Sequence, residues 1–288
     1  MRQGRKTTRG KGIAGAVVVG ACLFGLLVPG GAGTSQGLPE VRRPNQILVT
    51  TRGTDAAIDA IDARLGKEIL ESRNAYALGG WNASGGRSGA RTADSWASYA
   101  EFRKDLARHM VPPDLRAAMY DPEMWDATPV NEQRDPVTYA RKFAELAHAH
   151  GLLVITTPQP NLVEVEGAAC GIRAGESEVH AYVRCGIAAG TARYADVYET
   201  QAQALERDPQ AYRAFVLATA VQARKANPNV AVLSGLSTSP GYPATAGMLY
   251  DAWSSVADVV DGHYLSLARL RYPSAAAEFL AQLPRSAR

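Results

Sequence analysis

Short apolar runs alternate with segments of helical periodicity through most of this chain. The runs are rich in β-branched residues and are bounded by Gly, Pro, Asn or Asp, which is typical of buried strands. The segments between them repeat apolar residues every three or four positions, which is typical of helices that pack by one face. The apolar runs predict strands at Ile47–Thr51, Ala75–Leu78, Ala117–Tyr120, Leu152–Thr156, Ala195–Gln201, Val230–Leu233 and Val259–Leu267.

Asp-Pro pairs mark two of the predicted helix starts. Asp caps the first turn through its carboxylate, and Pro at the next position has no amide proton to leave unpaired. Asp135-Pro136 begins a helix that ends at Gly151, and Asp208-Pro209 begins one that ends near Ala226. Further helices are predicted from Thr54 or Asp55 to Leu65, and over Asp94–Met110, Glu178–Ala189, Thr245–Ser255 and Ser274–Leu283.

This alternation of strands and helices predicts an α/β fold, a (β/α)8 TIM-like barrel over residues 46–288. An eighth strand would lie within the first hundred residues, and the first quarter is expected to be the irregular or incomplete part. A doubly wound open sheet is the alternative. However, no glycine-rich nucleotide fingerprint follows the first strand, so the barrel is favoured.

The N-terminus has the pattern of a targeting segment. A basic stretch to Lys11, an apolar run over Ile13–Val28 and small residues to Gly33 predict a secretory signal peptide over residues 1–32. A flexible lead-in would follow over residues 33–45. We therefore expect a secreted protein with no stable membrane insertion after cleavage, and the alternative is a tether formed by an uncleaved N-terminal segment.

Charge and cysteine content narrow the setting further. The net charge is +3, and much of it lies in the N-terminal segment, so the body is nearly neutral and nucleic-acid binding is not expected. Once Cys22 leaves with the signal peptide, Cys170 and Cys185 remain. In an oxidising compartment they are expected to form a disulfide, and no Cys or His spacing supports a metal site instead.

The active site of such a barrel lies at the C-terminal ends of its strands. Acids in these positions are the candidate catalytic residues, namely Asp121, Glu123 and Glu199. Amides, hydroxyls and aromatic rings in similar positions are candidates for substrate binding, namely Tyr120, Trp125, Gln159, Asn161, Gln201, Gln203, Ser237, His263 and Tyr264. No phosphate loop, zinc signature or EF-hand pattern is present, so neither a metal nor a cofactor is predicted.

The run Tyr120-Asp121-Pro122-Glu123-x-Trp125, with Thr128-Pro129, Glu132-Gln133 and Asp135-Pro136, resembles a motif of secreted bacterial proteins with glycoside-hydrolase-like barrels. The segments 195–203 and 230–238 match the next strands of that pattern, and the resemblance covers about residues 115–267. It implies an exported barrel with a cleft for carbohydrate. It implies no particular substrate and assigns no catalytic residue.

Three functions fit these observations. The first is a glycosidase that cleaves an extracellular polysaccharide, because glycoside hydrolysis needs one protonated and one ionised carboxyl group. The second is a non-catalytic carbohydrate-binding or cell-surface protein on a degenerate barrel, in which the amides and aromatic rings matter more than the acids. The third is a metal-dependent phosphodiester hydrolase on the same fold. Structural roles remain open for the acids, since Asp121 could cap its loop and Glu199 could pair with an arginine.

Overall fold

A computed structural model describes residues 63–64, 67, 74–79, 90–238, 244–266 and 273–283, together with the backbone of residues 47–51. The predicted signal peptide, the lead-in and most of the first predicted helix lie outside these residues. Within the described ranges, none of the helices combines the length and the apolar composition that crossing a lipid bilayer requires.

The strands form a parallel barrel in chain order. Each strand pairs with the next, and the last pairs back onto the first through the register Ile47↔Gly262 to Thr50↔Leu265. The strands are β1 (Ile47–Thr51), β2 (Ala75–Leu78), β3 (Arg91–Trp96), β4 (Ala117–Tyr120), β5 (Leu153–Thr156), β6 (Val197–Thr200), β7 (Ala231–Ser237) and β8 (Gly262–Ser266).

Helices follow each strand from β3 onward and cover the outside of the barrel. They are α1 (Tyr99–Ala107), α2 (Val130–Arg134), α3 (Pro136–Ala149), α4 (Glu178–Cys185), α5 (Ile187–Ala192), α6 (Pro209–Ala226), α7 (Ala246–Val256) and α8 (Pro273–Gln282). Both Asp-Pro starts are confirmed, because Asp135 accepts from the Thr138 amide and Asp208 from two amides of α6. The α/β fold is therefore confirmed, with the helical layer described for β3 to β8.

From β4 to β7, alternate strand residues point into the barrel or outward against the helices. Met119, Ile155, Val197 and Leu233 pack together inside the barrel. Their chain neighbours point outward against the helices, as Tyr120 does against Phe143 of α3. Strands of a parallel barrel are buried on both faces, which explains why strands such as β4 and β5 are continuous apolar runs. Only the alternation decides which residues can reach the interior.

The eighth strand is β3, and it occupies part of the segment that the sequence assigned to a helix. The prediction that a helix begins at Asp94 is wrong, since residues 91–96 are extended and α1 begins at Tyr99. Ser98 caps α1 by accepting a hydrogen bond from the Glu101 amide. Apolar residues have helical spacing from Tyr99 onward. Trp96 matches the same spacing by chance, and for this reason the predicted helix began too early.

Two other element bounds differ from the prediction. The helix predicted over Glu178–Ala189 is divided at Gly186, whose φ of 65° is left-handed and ends α4 before α5 begins. Strand β7 continues to Ser237 rather than ending at Leu233. Ser234, Gly235 and Ser237 are therefore strand residues, and their side-chain directions follow the alternation of the barrel.

The predicted disulfide between Cys170 and Cys185 is present, with the two Cα atoms 5.7 Å apart. It joins the segment that follows β5 to the last residue of α4. An ion pair supports the same segment, since the Arg184 guanidinium binds the Glu176 carboxylate at 2.8 Å. The chain between β5 and α4 is thus fastened to the helix whose first turn faces the mouth of the barrel.

Candidate functional site

The C-terminal ends of β4 to β8 surround a cleft of about 740 Å³. Most of the residues predicted to form a site line it, namely Asp121, Glu123, Gln159, Asn161, Gln201, Gln203, Ser237 and Tyr264. The third predicted acid, Glu199, lies directly beneath the cleft. The structure therefore brings the three candidate acids to one end of the barrel, as expected for residues that end neighbouring strands.

Gln201 links the ends of three strands. Its side-chain nitrogen Nε2 donates to Oδ1 of Asp121 at 2.9 Å and to the carbonyl oxygen of Thr157 at 2.8 Å. Asp121 follows β4, Thr157 follows β5 and Gln201 follows β6. The amide therefore fixes the Asp121 carboxyl group at the mouth of the cleft.

Glu199 points into the barrel from β6 and is 0% exposed. The Thr157 hydroxyl donates to its Oε2, and its Oε1 has no hydrogen-bond partner. Room for this carboxyl group comes from Gly235 on β7, where an added Cβ would lie 2.2 Å from Oε1 of Glu199 and 2.5 Å from Nε2 of Gln203. Only glycine at position 235 leaves room for the side chains of Glu199 and Gln203 as they are placed here.

Burial and mutual repulsion hold protons on these acids. The pKa of Asp121 is raised from 3.8 to about 8, first by burial and then by the charge of Glu123, and the Gln201 amide opposes the rise. The pKa of Glu199 is also raised to about 8 by burial, opposed by Thr157 and reinforced by the charges of Asp121 and Glu123. Burial raises the pKa of Glu123 as well. The raised pKa values bring these carboxyl groups closer to neutral pH, where they can take part in acid and base chemistry.

His263 and Tyr120 do not reach the cleft, so their predicted place in the binding site is corrected. The His263 ring is buried, and its centroid lies 5.9 Å from that of the Trp253 ring on α7. Its Nδ1 lies 2.9 Å from the Ser234 hydroxyl. Burial lowers its pKa to about 3, so the ring is neutral. The Tyr120 hydroxyl donates to Glu132 at 3.0 Å on the helix side of β4. Both residues have the outward position in their strands.

Trp125 lies outside the cleft, on the loop that follows β4. Its side chain is 44% exposed, and the indole nitrogen donates to the Thr128 hydroxyl at 2.8 Å. Asn161 lines the cleft and also holds this loop, because its Oδ1 accepts from the Met124 amide at 3.0 Å. The loop therefore presents a fixed aromatic face beside the cleft.

Several polar residues at or near the cleft were missed from the sequence, namely Thr157, Ser177, Glu178 and Ser266, which line it, and Glu206. Thr157 directly follows β5, and the strand-end rule that found Gln159 would have found it. Glu206 is fully buried after a short 3-10 turn at Gln203–Leu205; its Oε1 accepts from the Ser237 amide at 2.6 Å, and its Oε2 has no partner. Burial raises the pKa of Glu206 to about 8. Because charged residues follow Glu206 in the sequence, the sequence predicts that it is exposed to solvent. No sequence pattern indicates that it is buried.

Acids at the opposite ends of the strands have structural roles. Asp196, which precedes β6, accepts from the Val154 amide at 2.8 Å and from His148 at 2.9 Å. Asp261, which precedes β8, accepts from the Val232 amide and binds Arg224 at 2.9 Å. Among the described residues, no group of three or more His, Cys, Asp or Glu side chains is arranged to hold a metal ion.

No protein-family model and no curated protein matches this sequence. Similar solved structures include a candidate alpha-L-fucosidase from Bacteroides thetaiotaomicron, with 10% identity, a TM-score of 0.42 and coverage of 63% of this chain and 59% of that one. An archaeal fructose-1,6-bisphosphate aldolase has 14% identity and a TM-score of 0.47 over 85% of this chain and 96% of that one. A chitinase from Chromobacterium violaceum has 12% identity and a TM-score of 0.48 over 83% of this chain and 100% of that one.

These proteins have different activities, and this chain spans 59% of the length of the fucosidase. At such identities and TM-scores the likeness carries no argument about activity. The chemistry of the cleft has to be argued from its own side chains.

Proposed function

We propose that this protein is an exported glycosidase that cleaves an extracellular polysaccharide by acid and base catalysis with carboxyl groups. The observation that supports the proposal is the pairing of Asp121 and Glu123 on one wall of a cleft at the C-terminal end of a barrel, with Glu199 beneath them. Glycoside hydrolysis uses two such groups in different protonation states. The disulfide fits an oxidising, extracellular setting.

Asp121 is suited to be the general acid. It is the cleft-lining acid whose pKa is raised to about 8, and the charge of Glu123 contributes to that rise. It therefore carries a proton at neutral pH, which it can give to the leaving glycosidic oxygen. As the proton leaves, the Gln201 amide stabilises the resulting carboxylate.

Glu123 is suited to be the ionised partner. It lines the same cleft two residues away and is less deeply buried than Asp121. Burial raises its pKa, and a hydrogen bond from Gln201 opposes the rise. In this role it acts either as the base that activates water or as the nucleophile that attacks the anomeric carbon. Glu199 is a positioning residue in this scheme, because it holds Thr157, whose carbonyl oxygen orients Gln201.

The remaining lining groups suit the hydroxyls of a sugar. Amides and hydroxyls both donate and accept hydrogen bonds, as sugar hydroxyls do. Tyr264 adds an aromatic ring inside the cleft, and Trp125 adds one beside it. The groups proposed to bind the substrate inside the cleft are Gln159, Asn161, Gln203, Ser237 and Tyr264.

The test is a screen of the purified protein against polysaccharides and cell-wall glycans, with release of reducing ends and binding measured on the same samples. We expect release by the wild type and a loss of at least about a hundredfold in Asp121→Asn and Glu123→Gln. The matched control is Asp126→Asn, on the same loop but exposed, which should retain activity. Full activity in both cleft variants would refute the proposed roles.

The second candidate is carbohydrate binding without cleavage, and the exposed indole of Trp125 favours it. An aromatic face held by Thr128 is a stacking surface for a sugar ring. Binding that is lost in Trp125→Ala but unchanged in Asp121→Asn, with no release of reducing ends, would identify this function.

A further inference from the structure

Glu178 is an acid of the cleft that the proposed reaction does not use. It is the first residue of α4, and it lines the cleft with Ser177 and Val179. Its side chain is half-buried. Burial raises its pKa, and the charge of Glu164 raises it further. In the described part of the chain, no Lys, Arg or His contributes to lowering that pKa, so no cation there offsets the charge of this carboxylate.

The acidic and basic side chains on the described wall of the cleft are all carboxyl groups. Asp121, Glu123 and Glu178 line it, and no Lys, Arg or His is among its described lining residues. Arg184, on the last turn of the same helix, is engaged by Glu176 through two hydrogen bonds of 2.8 Å. The cleft is thus acidic in a protein whose net charge is +3.

One buried acceptor beneath the cleft also lacks a hydrogen-bond donor. Oε1 of Glu199 is fully buried and has no partner, although the residue lies against Gln203, which lines the cleft. An unpaired buried acceptor is costly, and acids crowded without a cation are destabilised in their charged forms. A ligand that brings a positive charge into the cleft would relieve the crowding of the acids that line it.

We propose that the cleft selects sugars with a free amino group and that Glu178 is the specificity-determining residue that binds the ammonium. This inference rests on the proposed carbohydrate-cleaving site and names its substrate class. An ammonium group has three donors, no acceptor and a positive charge, so it matches a carboxylate wall. Uronic acids and sulfated sugars would be repelled by the same wall, and an N-acetyl group would lack the charge.

The experiment compares oligomers of glucosamine and of galactosamine, each as the free amine and as the fully N-acetylated form. Binding to the purified protein is measured by titration calorimetry at low salt. We expect a free-amine oligomer to bind at least about tenfold more tightly than its N-acetylated counterpart. Glu178→Gln should reduce that ratio to near one. Glu166→Gln, an exposed acid of the segment between β5 and α4, is the matched control and should keep it.

Each outcome decides the inference. Equal affinity for the two forms, tighter binding of the N-acetylated form, no binding of either, or a preference that persists in Glu178→Gln would overturn it. Failure of the proposed function gives a different result: an amine preference without release of reducing ends leaves the inference standing and rejects the hydrolase. Cleavage of a neutral glycan without an amine preference supports the hydrolase and rejects the inference.

Discussion

Glu199 lies so close to Gly235 that a single methyl group cannot be added between them. A Cβ at position 235 would be 2.2 Å from Oε1 of Glu199 and 2.5 Å from the amide nitrogen of Gln203. We therefore expect Gly235→Ala to displace both side chains, to destabilise the fold by about 1–3 kcal/mol and to reduce turnover. Thermal unfolding and release of reducing ends are the two measurements.

Gly247 provides the control for that substitution. It lies in the first turn of α7, where an added Cβ would meet nothing within 4 Å. Gly247→Ala should be neutral or stabilise the protein by up to about 1 kcal/mol, because alanine favours the helix. If both alanine variants behave alike, the crowding at Gly235 has no functional consequence.

The pH profile of turnover should reflect Asp121. A general acid must be protonated, so kcat/KM is expected to fall as the pH rises through its pKa of about 8. The Gln201 amide favours the ionised form of Asp121, so Gln201→Leu should raise that pKa and move the alkaline limb to higher pH. Gln210→Leu, on the exposed start of α6, should leave the limb in place. If the alkaline limb does not move in Gln201→Leu, Asp121 is not the general acid.

The order of elements could be predicted because capping and periodicity are local signals. Asp135-Pro136 and Asp208-Pro209 begin helices for the same chemical reason. Strand β3 was missed because its sequence, RTADSW, is mostly polar, and only the barrel context buries Ala93 and Trp96. The Ser98 cap with Glu101 three positions later was the available signal that a helix begins at residue 99.

The side-chain directions could not be predicted in the same way. In β4, every residue is buried, so polarity does not distinguish the interior from the helix side. This is why Tyr120 was expected in the cleft, although it binds Glu132 outside the barrel. The position of Asp121 was easier to predict, because it follows the end of β4 and lies at the mouth of the barrel. The raised pKa of Glu206 results from burial by the folded chain, and no local sequence pattern predicts it.

Glu206 should make stability depend on pH. Its pKa is about 8 in the folded protein, against an ordinary value of 4.5, so the folded state binds more protons between these values. The contribution of Glu206 to stability is therefore expected to fall by up to about 1.4 kcal/mol per pH unit as the pH rises through that window, in addition to the contributions of Asp121 and Glu199, and to level off above pH 8. Glu206→Gln, which can still accept from the Ser237 amide, should weaken this dependence. Urea unfolding at several pH values tests it, and an unchanged slope would contradict it.

Glu132 fastens the start of α1 to β4. Its carboxylate accepts from the amides of Tyr99 at 2.7 Å and Ala100 at 3.1 Å and from the hydroxyl of Tyr120 at 3.0 Å. Glu132→Ala leaves these donors without their acceptor and should destabilise the protein by about 3 kcal/mol. Tyr120→Phe removes one of the bonds and should cost about 1 kcal/mol. Equal losses in urea unfolding would mean that the amide contacts contribute nothing.

The disulfide between Cys170 and Cys185 should stabilise the fold and keep the wall of the cleft in place. It closes a loop with a sequence separation of 15, for which the chain-entropy estimate is about 3 kcal/mol. That loop contains Ser177 and Glu178, so its loosening should raise KM more than it lowers kcat. The measurement compares the wild type, with and without reductant, with the double variant Cys170→Ser/Cys185→Ser. Reductant should lower the stability of the wild type to that of the double variant and leave the double variant unchanged. A double variant with unaltered stability would mean that the ion pair of Arg184 with Glu176 is sufficient to hold the segment.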